Sequence, residues 1–394
     1  MTGVISDATT LADQLQERGV VSDATVRGVD LRGLDLSGAT FMDVQFEQVN
    51  AEGAQLTGAR LLRCAFTGSS FRGVRLGSAV LFECQLNETS FEGAQLDHAN
   101  LAGIRAIGAD FERVSCRGAD LTSAQLSTLR ARGASFDLSD FTGADLSDAD
   151  LSGTHMPDTV WVGAQLRAAS FAKASVPGAM FAGAALDGTT MEGADLSGAD
   201  FTQNDLRTTR FANTVLDRVS FARAQLAGVN FGASSMRDVD FTEADLTRAS
   251  LDLCHAHQGQ FRKATLAGLL ARKAILRGAD FGEARMLDCD LRGSDLRGAQ
   301  FSGALLLRAQ LGLTRLQAAQ FTGTDARGAV FDHTDARYAL FDGAQLSLTS
   351  FVQADLRQAS FHRAVCDGWK TSGANRRGIQ ETDAKRARSE DFTP

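Results

Sequence analysis

From residue 31 onward, apolar side chains return at every fifth position. Cut at that interval the chain reads LRGLD, LSGAT, FMDVQ, FEQVN, AEGAQ, LTGAR, and the register runs to Cys366 without an insertion or a deletion. Each of the 68 centres is Leu, Phe, Met, Val, Trp, Ala or Cys. Two residues before a centre stands a small side chain, as at Ala39, Ala194, Thr209 and Cys289. Most glycines stand two residues after one, as at Gly33, Gly193 and Gly303. A helix needs apolar residues at a period near 3.6 and a half-buried strand at a period of 2, so a strict five is neither. The chain must turn once per repeat, and glycine supplies the positive φ of a tight turn. Each five is therefore one short extended side followed by one corner.

A second period sets the number of sides. Steps of 20 from Phe181 to Phe361 meet ten phenylalanines in one column, preceded by Phe141 and Trp161, whereas the next column is leucine from Leu126 to Leu266. Four fives per circuit predict a four-sided coil with one aromatic column, and 68 centres make 17 circuits. At about 4.8 Å per coil this is a rod about 80 Å long. Each buried centre contributes roughly 1.5–3 kcal/mol. The ends depart from the repeat. Residues 7–18, DATTLADQLQER, offer Asp7 or Thr9 as an N-cap, Leu11 and Leu15 on one face and Gly19 as a stop, which predicts a short helix. The domain reading is an N-terminal helical cap over 1–25 and the coil over 26–368. A charged stretch follows over 369–394, either a helical cap or a disordered tail.

Composition narrows the class. Two Trp, one Tyr and three Pro beside 25 Phe and 39 Gly is the narrow usage of a repetitive chain. Forty basic and 48 acidic side chains leave a net charge of −8, which argues against direct nucleic-acid binding through bulk charge. The start, MTGVISDATT, has neither the basic residues nor the apolar core of a signal peptide. No run of about 18 apolar residues occurs, so no membrane insertion is expected. Six cysteines without C-x-x-C spacing fit a reducing cytoplasm.

The units ADLSG, ADLTS, ADLTR and ANLAG resemble those of the pentapeptide-repeat proteins over about residues 26–368. The resemblance implies an all-β fold, a right-handed quadrilateral β-helix of about 17 coils, here with a short N-terminal helix and a C-terminal tail. Some proteins of this family resemble duplex DNA and inhibit or protect DNA gyrase and other type II topoisomerases. Long unbroken repeats with a helical start and a charged tail also resemble members that accompany bacterial type VI secretion components, which implies an adaptor role.

Candidate chemistry is sparse. The one histidine cluster, DLCHAHQG, offers Asp252, Cys254, His255 and His257 as metal ligands. Register counts against it, because Cys254 takes an inward slot while His255 and His257 flank Ala256 and point outward. All six cysteines are inward by register: Cys64, Cys84, Cys254 and Cys289 in small slots, Cys116 and Cys366 at centres. No nucleophile turn and no strand, glycine-rich loop and helix unit for phosphate is present. The chain reads as a non-enzyme with no catalytic residues, no metal and no cofactor.

Function then lies on the sides. One candidate is an acidic face: Asp120, Asp140, Asp145, Asp200, Asp205, Asp240, Asp245 and Asp280 each precede a centre. Duplex DNA carries a charge every 1.7 Å or so, and this stripe is several-fold sparser. A second candidate is apolar. Met42, Leu62 and Phe82 form an outward ladder that either the N-terminal helix or a partner covers; Leu287, Leu305, Leu307 and Leu348 share another side and suggest contact with a second copy or a partner protein. A third is basic: Arg272, Lys273, Arg277, Arg292, Arg297, Arg337 and Arg357, interleaved with Asp295, Asp335 and Asp355, which favours a salt-bridged surface. The sequence therefore predicts a cytoplasmic scaffold that binds proteins along its length, with gyrase or topoisomerase inhibition by DNA mimicry as the alternative.

Overall fold

A computed structural model describes residues 3–391. The chain folds as a right-handed β-helix of parallel rungs and divides into two compact units, residues 1–200 and 201–394. Four sides follow one another along each circuit. In the first unit side one carries the centres Phe41 and Leu61, side two Phe46 and Phe66, side three Ala51 and Phe71, and side four Leu56 and Leu76. The second unit repeats the order from Phe201, Leu206, Phe211 and Leu216.

In the first unit β1 (Gly3–Ile5) pairs in parallel with β3 (Ala24–Arg27), which pairs in turn with β5 (Gln45–Glu47) and β7 (Ala65–Thr67). On the adjoining side β2 (Val20–Ser22), β4 (Thr40–Met42) and β6 (Arg60–Leu62) form a second sheet. Between β1 and β2 the helix α1 (Ala8–Arg18) replaces two sides of the first circuit. Asp7 caps it by accepting the Thr10 amide at 2.8 Å, and Gly19, at φ 69°, closes it with a bond to the Leu15 carbonyl. Leu11 is its buried anchor. After β7 the extended part of each repeat shrinks to a single bridge residue paired 20 residues away, as in Val80↔Asn100 and Asn100↔Asp120.

The repeat is explained by what happens to its five backbone N–H groups, each of which needs an acceptor when withdrawn from water. Around centre Phe241, the Phe241 N–H donates to Gln260 in the next coil (2.7 Å) and the Glu243 N–H to Arg262 (2.9 Å). The Ala244 N–H closes a turn on the Phe241 carbonyl (3.0 Å), and the Asp245 N–H reaches back to Ala224 (3.0 Å). The fifth, on Thr242, donates to the side chain of Asp240 at 2.8 Å. The same five bonds recur around Phe141. Aspartate before the centre is thus a turn acceptor, which accounts for the A-D-L signature.

The corner departs from the sequence expectation. Positive φ is found two residues after the centre whether or not glycine stands there: among the described residues glycines such as Gly193 and Gly303 are joined by many others, among them Leu138, Leu253, Leu313, Tyr338 and Leu348. Each such residue costs about 1–2 kcal/mol. The N–H bond to the next coil, kept at Leu313 (2.9 Å to Asp332), holds it in place.

The interior is packed solid. In the second unit eight stacks connect Phe201 through Phe361, with centroids 4.6–5.5 Å apart. Phenylalanines of the opposite side meet this column edge-on, as Phe211 meets Phe221 at 5.6 Å and Phe331 meets Phe341 at 5.9 Å. In the first unit the aromatic stack changes sides instead. It runs on side two (Phe46–Phe66), turns edge-on at Phe66–Phe71, stacks again on side three at Phe71–Phe91 and meets Phe111 edge-on; another stack stands on side one, where Phe141 lies on Trp161.

At the other end the rungs pass residue 368, the boundary read from the sequence, and continue to Asn375 and Gln380. Trp369 stands edge-on to Phe351 and Phe361, with the Arg376 guanidinium 5.1 Å from its ring. The helix α2 (Ala384–Asp391) buries no residue of its own. It is held by polar contacts: buried His362 meets Glu390 at 3.1 Å and accepts the Asp383 N–H, and Arg363 pairs with Asp391 at 2.6 Å. No described helix is long and apolar enough to cross a membrane.

Two outcomes follow. Phe261, fully buried between Phe241 and Phe281, should cost about 3–5 kcal/mol on replacement by alanine, read as a lower melting temperature. Leu313→Gly should instead stabilise by about 0.5–1 kcal/mol, because it relieves a positive φ at an exposed side chain.

Candidate protein-interaction surfaces

Of the five positions in a repeat, two point in and three point out, so every side presents three outward columns. Open depressions run along some of these sides. One of them, about 630 Å³, runs along side two of the second unit. Ala227, Gly228, Ala267 and Gly268 give it a low floor, Thr247 and Arg248 cross it, and Leu287 and Asp288 end it.

Leu287, Leu305 and Leu307 extend that groove as a half-buried apolar patch in which Arg285 and Leu305 are bridge partners. Leu348 lies on the same side two coils beyond Leu307. It is 73% exposed and held at φ 61°. The geometry therefore gathers all four leucines on one side and adds a groove that sequence reading did not show. Its signal was present in the small outward residues 227, 228, 267 and 268.

The N-terminal ladder is also placed on one side. Met42 and Leu62 lie on β4 and β6 as register partners and are half-buried; Phe82 is exposed. α1 packs on β2, and its Ala12, Leu15 and Gln16 form a separate depression of about 350 Å³ with Asp35–Ala39 on side four. Sequence reading missed a second apolar group on side one, Val160, Val162 and Met180, the last two exposed. Apolar residues at outward positions were the available signal.

The acidic residues serve the turns. Asp120, Asp140, Asp145, Asp240, Asp245 and Asp280 each accept the N–H two residues on, at 2.8–3.0 Å. Asp205 does the same for Arg207 and pairs with its guanidinium at 2.6 Å. Asp200 is exposed. The stripe is not continuous: on side one of the first unit the bridge column runs from Asp140 through Val160 and Met180 to Asp200.

The basic residues are paired in the same spirit. Arg272 pairs with Asp252, Arg292 with Asp290, Arg277 and Arg297 with Asp295, Arg337 with Asp335, and Arg357 with Asp355. Burial pushes the Asp295 carboxyl up, but hydrogen bonds from Arg297 and Arg277 outweigh it and bring it to about 2. Asp290, Asp335 and Asp355 are lowered first by their own arginines.

The histidine cluster is split between exposed and buried positions. His255 is exposed and His257 half-buried, its protonation disfavoured by burial and then by Arg277. Cys254 is pushed up to about 12 by burial. Among the described residues no group of three or more His, Cys, Asp or Glu could hold a metal ion. Five cysteines are buried. Cys366, expected inside, is only half-buried, because it lies in the last circuit where Trp369 and Ile379 line an open depression. Burial still raises it to about 11. Cys84 is raised by its hydrogen bond with Cys64 and by burial.

The profile described as pentapeptide repeats (8 copies) matches eleven overlapping stretches between residues 22 and 351, and the profile of the pentapeptide repeat region matches 189–261. The chain belongs to the pentapeptide-repeat family. Solved structures of this family resemble it weakly. A trypsin-treated form of QnrB1, a plasmid-mediated fluoroquinolone resistance protein, is 19% identical over 44% of this chain and 91% of its own, with a TM-score of 0.30. HetL, involved in heterocyst differentiation regulation in the cyanobacterium Nostoc sp. strain PCC 7120, is 22% identical over 69% and 89%, with a TM-score of 0.18. No curated protein matches the chain.

The arginine-held carboxylates give a pH prediction. A carboxyl lowered on folding contributes stability above its unfolded value of about 3.9 and loses it as pH falls toward the folded value. The carboxylate contribution to the melting temperature should be constant from neutral pH down to about pH 4 and fall between about pH 4 and the value of about 2 set at Asp295, while His257, whose protonation the fold disfavours, adds a separate loss as pH falls below its ordinary value of about 6.5. Asp295→Asn should shrink that fall.

Proposed function

We propose that this pentapeptide-repeat protein is a non-catalytic scaffold that binds another protein along side two of its second unit. The observation that carries the reading is the groove of about 630 Å³ ending at Leu287, continued by Leu305 and Leu307 on the same side. Its floor of alanine and glycine admits close approach of a partner backbone, and the leucines offer apolar area worth about 25 cal/mol per Å² once covered. Met42, Leu62 and Phe82 form a second, smaller contact in the first unit. The interior supports the non-catalytic part, because the inward positions are filled by side chains and leave the sides to do the work.

Two finer readings have less behind them. An accessory role in type VI secretion rests on the form of the chain alone. Topoisomerase inhibition by DNA mimicry calls for a dense run of carboxylates, and the acidic column on side one of the first unit is interrupted by Val160 and Met180.

Leu305→Asp with Leu307→Asp tests the proposal. Neither side chain faces the interior, so the double variant should keep the melting temperature of the parent chain. It should lose the partner that the parent chain captures and that cross-linking maps to side two. A folded variant that retains the same partner at equal yield would move the contact elsewhere.

A further inference from the structure

The net charge of −8 hides a division between the two units. Residues 1–200 carry 14 basic and 26 acidic side chains, a net −12, and residues 201–394 carry 26 and 22, a net +4. The contrast is sharp on side four. In the first unit its outward columns hold five aspartates, Asp35, Asp97, Asp137, Asp158 and Asp195, against two arginines. In the second unit the same columns hold eight arginines, from Arg218 to Arg377, against five aspartates. The ion pairs with Asp295, Asp335 and Asp355 absorb only part of that positive charge. Arg237 and Arg377 are exposed and enter no ion pair among the described residues. The same holds for Asp35 and Asp158 in the first unit.

Side four also displays one large exposed hydrophobic side chain at a corner in each unit. Leu138 is 59% exposed at φ 59°, and Tyr338 is 60% exposed at φ 61°. Both are hydrophobic side chains left largely in water, where a contact would recover apolar area.

We infer that two copies of this chain associate through side four, the acidic stretch of the first unit in one copy meeting the arginine stretch of the second unit in the other. Charge selects this pairing. Acidic stretch against acidic stretch repels, as does arginine stretch against arginine stretch, and the net charge of −8 disfavours unspecific contact between copies. Only the crossed arrangement places opposite charges together, with Leu138 and Tyr338 as its apolar anchors. The contact is separate from the leucine side assigned to a partner protein above.

Sedimentation equilibrium of the full chain tests it. Association should be measurable at about 20 mM salt and weaken at least about tenfold at about 500 mM, where the screening length falls to a few ångströms. Arg237→Glu with Arg377→Glu should abolish it, and Asp35→Arg with Asp158→Arg should do the same. Mixing the two reversed variants should restore it, because each then offers the charge that the other lacks. Leu305→Asp with Leu307→Asp should leave it intact. A chain that is monomeric at every salt concentration overturns the proposal, as does association that strengthens with salt or ignores both reversals. Monomers that bind heparin through Arg237 and Arg377 would reassign the arginine stretch to a polyanion. If a reversed variant fails to fold, the salt series on the unaltered chain still decides.

Discussion

A backbone that turns after every few residues cannot pair its N–H groups as a long strand does, and in this chain each repeat sends them to separate destinations. Two go to the next coil, one to the previous coil and one to the repeat's own turn. The fifth is met by a side chain where aspartate, asparagine or serine precedes the centre. The positive-φ corner aims the N–H of its own residue at the coil ahead. Everything else rests on that geometry. It keeps neighbouring coils in register 20 residues apart, and that register stacks the phenylalanines. Along the stacked stretches the inward positions are filled by side chains, and the outward columns form the surface.

Much of this was legible because the repeat is strict. A period of five with small residues two before each centre defines inward and outward positions, and a period of 20 defines sides, so Phe261 could be placed inside and Leu305 outside from register alone. Two features were not legible. Glycine looked obligatory at the corner because it is frequent there, but Leu313 and Tyr338 adopt the same φ, since a bond to the next coil outweighs their steric cost. The turn role of the aspartates was hidden because sequence records the side chain and not the N–H it accepts. Asp240 is a turn residue first and a charge second.

The ends obey different physics from the middle. At the start, α1 replaces two sides and tucks Leu11 beneath the first circuit, an apolar closure. At the finish, Trp369 blocks the interior and α2 is held by His362, Arg363 and Arg386 through hydrogen bonds and ion pairs. Cys366 marks the transition: a centre by register, yet half open to solvent because no full circuit lies beyond it. Register alone cannot report this, because it treats the last repeat like the first.

The indifference of the corner to its occupant has a consequence for how such a protein can change. Asp, Arg, Leu, Tyr and Ala all serve there at nearly the same φ, and the outward columns touch chiefly their own neighbours above and below. A substitution at an outward position therefore rewrites one storey of the surface and leaves the stacking beneath it alone. Shape and specificity are held by different residues, so a lineage can exchange one binding partner for another by editing the façade, with no need to solve the fold again.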